Sequence, residues 1–334
     1  MKPTRSAESA DRSGPPGSRG LGAQLERHQV MIYLVAIGAG VALGALLPGA
    51  APTLEVAVEP AIAALLLVTF HGIPLRRIGA ALREGRFLLS LLAVNFLVVP
   101  LIVLLITRPL TDSPELLTGA LLVLLAPCID YVIVFTALAG GAQDRLLAAT
   151  PLLMLAQLLA LPALVPLLSG GAALGMIEPG PFVQAFGLLI VLPLVAAALL
   201  QRCAPRLDLS AAMVPLMVGV LVTVVASQTP RVLDAGASLL PLVPVYVAFL
   251  VLAVGVGIAV SRVVRLETAS ARALTFSGAT RNSLVVLPLA LAMPSPLVPA
   301  AVVTQTLVEL LGMVVLVRVL PRLLRDEPRP PAQQ

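Results

Sequence analysis

Tryptophan is absent from this chain of 334 residues, and all aromatics together make up only 3% of it. The aromatic girdles that usually mark a membrane boundary are therefore not its signature. Two histidines, His28 and His71, exclude histidine-rich metal chemistry. Two cysteines, Cys128 and Cys203, exclude a disulfide framework. No HExxH, GxSxG, GxxxxGK[ST] or DDxxD pattern occurs, so no zinc peptidase, serine hydrolase or nucleotide-driven pump is written here. An enzyme acting on lipids would need acids or histidines clustered near an interface, and there is no such cluster. Charge is scarce as well: 12% of residues are Asp, Glu, Lys or Arg, against about 25% in soluble domains. So few polar residues cannot cover a water-exposed surface.

What is abundant is apolar length. Hydrophobic residues are 59% of the chain and the mean hydropathy is +1.03. A helical span needs roughly 17–25 apolar residues. Ten runs qualify: 29–48, 55–74, 86–107, 115–139, 146–168, 182–201, 211–229, 238–260, 271–293 and 296–320. Uniformly apolar runs of this length do not fit the alternation of barrel strands, so the expectation is an all-α polytopic protein. Basic residues fix its orientation. With the N-terminus inside, inside segments hold nineteen of the Lys and Arg residues, and outside loops hold only Arg108 and Arg231. The net charge of +5 thus lies in loops facing the lipid headgroups and does not imply nucleic-acid binding. The polar, Pro/Gly/Ser-rich stretch 1–28 reads as a disordered cytoplasmic tail without a signal-peptide core. Residues 29–320 form the ten-helix domain, and 321–334 form a second cytoplasmic tail. The Arg- and Ala-rich composition suits a high-GC bacterium, hence an inner-membrane location.

Two of the runs are poorly made helices. Leu121 to Ala139 carries Pro127, Cys128 and Asp130 in its middle, and Ala271 to Met293 carries Gly278, Thr280, Arg281 and Asn282. Such breaks survive at membrane depth only where they are buried in protein or line a cavity. Five spans is an odd number, so a duplicated half would insert upside down. The offsets agree: Cys128 and Arg281 are 153 residues apart, and Gln157 and Glu309 are 152 apart. The expected repeats cover about 29–168 and 182–320, with the broken fourth and ninth helices crossing at the midplane. Ionisable groups deep in a span usually mark a site or pathway. Asp130, Arg281 and Glu309 are such groups, with Asp130 and Arg281 able to pair if the breaks meet. Asn95, Gln157, Ser277, Thr280, Asn282 and Gln305 are the supporting polar residues. Glu59 and His71, near the ends of span two, read as interfacial. Cys128 follows Pro127 at the expected start of a half-helix beside an arginine, a setting that favours thiolate and soft ligands; the plain alternative is a small buried apolar residue.

At these residues the chain resembles the bile acid/sodium symporter superfamily, and within it most resembles the arsenite efflux permeases. The resemblance rests on Leu89-Ser90-Leu91 with Asn95 and Pro100, and on Pro127-Cys128-Ile129 with Leu138-Ala139-Gly140-Gly141. Leu155-Ala156-Gln157 and Leu307-Val308-Glu309 complete it. It implies ten helices in two inverted repeats, with spans three to five and eight to ten moving against a panel of spans one, two, six and seven. It also implies export of arsenite or antimonite in exchange for protons, with Cys128 as the metalloid contact and Glu309 as the proton-loading group. Asp130, Arg281 and Asn282 would complete the substrate site, Asp130 sharing in the coupling, with no cofactor. The alternative is a carrier of a small organic anion, with Arg281 as its partner. One segment departs from the family. In Thr280-Arg281-Asn282-Ser283-Leu284 no acid is present, and the positions of two sodium ligands fall on Ser277 and Arg281. A guanidinium there repels sodium, so a proton is the expected coupling ion.

Overall fold

A computed structural model describes residues 29–72, 84–129, 131–171, 184, 187–204, 207 and 209–325. Both tails lie outside this set for the most part, as do Asp130 and the start of span six. The described chain is helical: α1 (Gln29–Leu46), α2 (Ala51–Gly72), α3 (Gly85–Ala93), α4 (Val99–Ile106), α5 (Pro114–Leu124), α6 (Tyr131–Leu138) and α7 (Gln143–Leu168). Then come α8 (Leu192–Cys203), α9 (Ser210–Ala235), α10 (Leu242–Val264), α11 (Thr268–Ala279), α12 (Ser283–Leu291) and α13 (Leu297–Leu323).

Six helical stretches are long and apolar enough to cross a membrane: 48–72, 85–106, 143–168, 211–239, 242–264 and 297–323. The ten runs of the sequence reduce to six by this criterion for local reasons. The runs 115–139 and 271–293 are each divided into two short helices, α1 is itself short, and 182–201 is described only in part. Two boundaries also move. The run 211–229 continues through Pro230 to Ala235, and in this extension the Arg231 guanidinium lies 2.8 Å from Glu55 of α2. The run 238–260 begins later, at Leu242, after a 3₁₀ turn over Gly236–Leu239. Leu105, Leu159, Val263 and Leu311 stand well exposed on outer faces. A water-soluble protein would not leave such a belt uncovered, whereas lipid covers it.

The helices sort into two groups by packing. α9 lies against α1 and α2, and α8 against α2. α13 lies against α5, α10 and α12, α10 against α11, and α7 against α6, α11 and α5. The groups touch chiefly where α9 meets α13, with a smaller contact between α2 and α12. Small residues permit the close crossings within each group. A Cβ at Gly44 would stand 2.5 Å from the Ala226 carbonyl oxygen of α9, and one at Gly119 would stand 2.7 Å from Ala301 Cβ of α13.

Proline shapes the span that faces the site. Pro100 lacks an N–H and cannot continue the α-ladder, and the turn before it, Val94–Val98, widens into a π-helix. Pro193 follows another π-turn, Gly187–Val191, at the same spacing. The first of these turns holds Asn95.

Candidate functional site at the crossing of two broken helices

α5 stops at Leu124 and α6 starts at Tyr131; α11 stops at Ala279 and α12 starts at Ser283. The two gaps meet as a short antiparallel bridge between Pro127 and Arg281. The Cys128 N–H donates to the Thr280 carbonyl at 3.2 Å, and the Asn282 N–H to the Ala126 carbonyl at 2.7 Å. Each break thus satisfies the backbone groups that the other leaves unpaired, a requirement where no water can reach them.

Arg281 is the centre. Its side chain is fully buried at 0% exposure. One terminal nitrogen donates to Ser277 O at 2.8 Å, Gly278 O at 2.7 Å and Asn95 Oδ1 at 2.9 Å, and the other to Leu124 O at 3.3 Å. Its carbon lies 5.2 Å from the centre of the Phe249 ring, a cation–π contact. Ser277 and Gly278 belong to the last turn of α11, and Leu124 is the last residue of α5. A helix C-terminus carries roughly half a negative charge. Two such ends together supply about one negative charge, which matches the guanidinium. Among the described residues no carboxylate pairs with it; the ion pairs present are Arg145 with Glu84 and Glu267, and Arg231 with Glu55. The expected Asp130–Arg281 pair falls outside the described residues.

The opposite charge approaches Arg281 through the backbone. Glu309, 2% exposed on α13, accepts the Arg281 N–H at Oε2 over 2.8 Å and also accepts from Gln305 Nε2. Its Oε1 lies 2.7 Å from Tyr131 Oη, which lies 2.7 Å from the Arg281 carbonyl oxygen as well. Ser277 Oγ accepts from Asn95 Nδ2 at 3.1 Å. Thr280 Oγ1 donates back to Phe276 O inside its own helix.

The structure therefore gathers Asn95, Ser277, Thr280, Arg281, Asn282, Gln305, Glu309 and Cys128 around one crossing. Asn282 has a structural use that the sequence reading did not include, and Cys128 stands at a different point of its break. Asn282 is the N-cap of α12, its Oδ1 accepting from the Val285 N–H at 3.2 Å. Cys128 stands ahead of α6, with its own N–H turned to Thr280, rather than in the first turn of a half-helix. Its thiol is fully buried, and Cys203 is exposed at the end of α8. Gln157 is buried in α7 with Oε1 unpartnered among the described residues, and it makes no bond to the crossing. Glu59 is exposed on α2. Sequence reasoning passed over Tyr131 and Phe249. Tyr131 is one of only three tyrosines and directly follows the break, which was the available signal. Phe249 gave none.

Beside the crossing, where the two helix groups face one another, lies a narrow cleft. Val224 and Val225 of α9 and Ile37 of α1 form one wall, and Ser283, Leu287 and Thr306 form the other. The Ser283 hydroxyl is buried and has no hydrogen-bond partner among the described residues, so the cleft is apolar with one polar group in its wall.

The chain thus combines apolar spans, two helices broken face to face, a buried arginine and a buried glutamate at the break and a cleft beside it. No curated protein matches its sequence. The SBF-like CPA transporter family matches residues 31–308, most of the chain, and the protein belongs to that family of membrane transporters, related to the bile acid/sodium symporters.

Proposed function

We propose that this protein is a proton-coupled, sodium-independent secondary transporter in which Arg281 serves as a tethered cation. One observation carries the reading. Leu124 O, Ser277 O, Gly278 O and Asn95 Oδ1 form an oxygen cradle at the ends of two half-helices, and the Arg281 guanidinium fills it. Such a set of oxygens suits a hard cation, and here the chain supplies the charge itself. Glu309, buried and bonded to the Arg281 peptide, is then the group that loads and releases the proton. The resting architecture is two inverted five-helix repeats in a bacterial inner membrane with both termini cytoplasmic. Alternating access comes from movement of the α3–α7 and α10–α13 group against α1, α2, α8 and α9.

The transported species in this reading is arsenite or antimonite, exported in exchange for protons. Its support is the buried Cys128 thiol, one residue from the Pro127–Arg281 bridge. A specific observation favours a second substrate class. The cleft is apolar with an unpartnered Ser283 hydroxyl, which suits a small organic solute with a polar end. The deciding experiment is uptake into inverted vesicles under an imposed proton or sodium gradient, with arsenite run against a panel of organic acids. Proton-driven arsenite uptake that is lost in Cys128→Ser supports the first substrate. Proton-driven uptake of an organic acid that survives Cys128→Ser replaces it with the second. Sodium-driven uptake of either would overturn the tethered-cation reading.

A further inference from the structure

We infer that Tyr131 is the positioning residue that converts the proton on Glu309 into a change at the crossing, an inference that rests on the proton-coupled reading above. The argument is a count of protons. Tyr131 Oη carries one hydrogen and lies 2.7 Å from two acceptors, Glu309 Oε1 and the Arg281 carbonyl oxygen. Only one of them can receive a full hydrogen bond from it. Glu309 Oε2 is already served by the Arg281 N–H and by Gln305 Nε2. When Glu309 is protonated on Oε1, its O–H donates to Tyr131 Oη, and Tyr131 donates to the Arg281 carbonyl. Every group in the chain is then satisfied, and α6 is tied to the strand that bears Arg281. When Glu309 is ionised, the stronger, charged acceptor takes the tyrosine proton. The Arg281 carbonyl then loses its donor in a fully buried place. A proton on α13 thus decides whether α6 holds the crossing strand.

Among the described residues the groups facing this hydrogen-bond network are few. Arg281 and Tyr131 are the charged and titratable neighbours of Glu309, and Cys128 acts on Arg281. On the other helices packed against α13, Tyr246 of α10 spends its hydroxyl on the Ala301 carbonyl at 2.9 Å. Arg231 of α9 is paired with Glu55. Arg262 of α10 lies in that helix's last turn, Asp234 of α9 lies next to its end, and Glu115 lies in the first turn of α5. α12 has no titratable side chain. The Tyr131 ring meets Phe135 edge-on at 6.2 Å, so phenylalanine can take its place without loss of packing.

The test uses the full-length protein in lipid nanodiscs and needs no substrate. Hydrogen–deuterium exchange of the Cys128 and Asn282 amides, which pair across the crossing, is measured across a pH series, corrected for intrinsic exchange, with α9 as the folding control; the Arg281 amide is left out because Glu309 holds it directly and more tightly when ionised. Wild type is expected to protect these two amides about tenfold better at low pH than at high pH, the worth of one buried hydrogen bond. Tyr131→Phe is expected to exchange fast at every pH. Glu309→Gln is expected to exchange slowly at every pH, because its amide N–H replaces the carboxyl O–H as donor to Tyr131. A wild-type pH response in Tyr131→Phe overturns the inference. Vesicle transport separates the two levels. If Glu309→Gln abolishes proton-driven uptake while Tyr131→Phe leaves its pH profile unchanged, the transporter reading stands and the tyrosine role falls. If Glu309→Gln leaves proton-driven uptake intact, the proton site itself is elsewhere and both fall.

Discussion

The two breaks are unequal partners. The first, between α5 and α6, offers Pro127 and Cys128, and its contribution to the crossing is mainly backbone: one carbonyl from Ala126, one N–H from Cys128, and the end of α5 at Leu124. The second, between α11 and α12, offers side chains. Arg281 closes the C-termini of both half-helices, and Asn282 caps the helix that follows. Among the described residues the first strand gives the crossing backbone groups, and the second carries the guanidinium, the cap and the contact to Glu309. The lesson is that two breaks meeting at one crossing need not share its chemistry, and substitutions in them should differ sharply in effect.

The largest effect is expected from Arg281→Ala. It leaves four buried oxygens without their donor and removes the charge that offsets two helix ends, a loss of about 3–5 kcal/mol. Thermal unfolding in detergent should fall steeply. It should recover in part with sodium or lithium chloride and not with choline chloride, because the emptied oxygen cradle suits a hard cation. Equal response to all three salts would break the comparison between a tethered and a bound ion. Arg281→Lys should be intermediate, since one ammonium cannot serve both helix ends with the planar fork of arginine. Asn282→Ala should cost about 1 kcal/mol by loss of the α12 cap, seen as a lower unfolding midpoint and faster amide exchange at Val285. The mildest should be Cys128→Ser in the first break, below about 1 kcal/mol if the added hydroxyl finds a backbone acceptor. A Cys128→Ser protein as unstable as Arg281→Ala would erase the proposed inequality.

Much of this was legible in the residues. Pro127 and the Gly278–Asn282 cluster broke the hydropathy runs where the helices do break, and Asn95, Ser277, Arg281, Gln305 and Glu309 do come together. The partners were less legible. Opposite charges in a sequence invite a side-chain pair, yet Glu309 takes the Arg281 peptide N–H while the guanidinium turns to carbonyl oxygens, which no residue letter announces. The use of Asn282 Oδ1 as the cap of α12 depends on where the break falls, which its residue type alone does not give. Tyr131 was missed because a tyrosine in an apolar run passes as a core aromatic until its hydroxyl is placed. The span count shows the same limit. Hydropathy counts apolar length, and a broken helix has the length of a span without its continuity.

The cradle has a last consequence, in electrical terms. A carrier that must bind its ion is neutral at that place when empty and charged when full, so a voltage acts on only one of its two strokes. In the proposed cycle Arg281, joined to the chain, moves with α11 and α12 whether or not anything is carried. When Glu309 beside it is protonated, the moving group holds one uncompensated charge, on which a membrane potential acts by up to about 2.3 kcal/mol per 100 mV for a full crossing. In that cycle a voltage biases which side the cleft faces even without substrate.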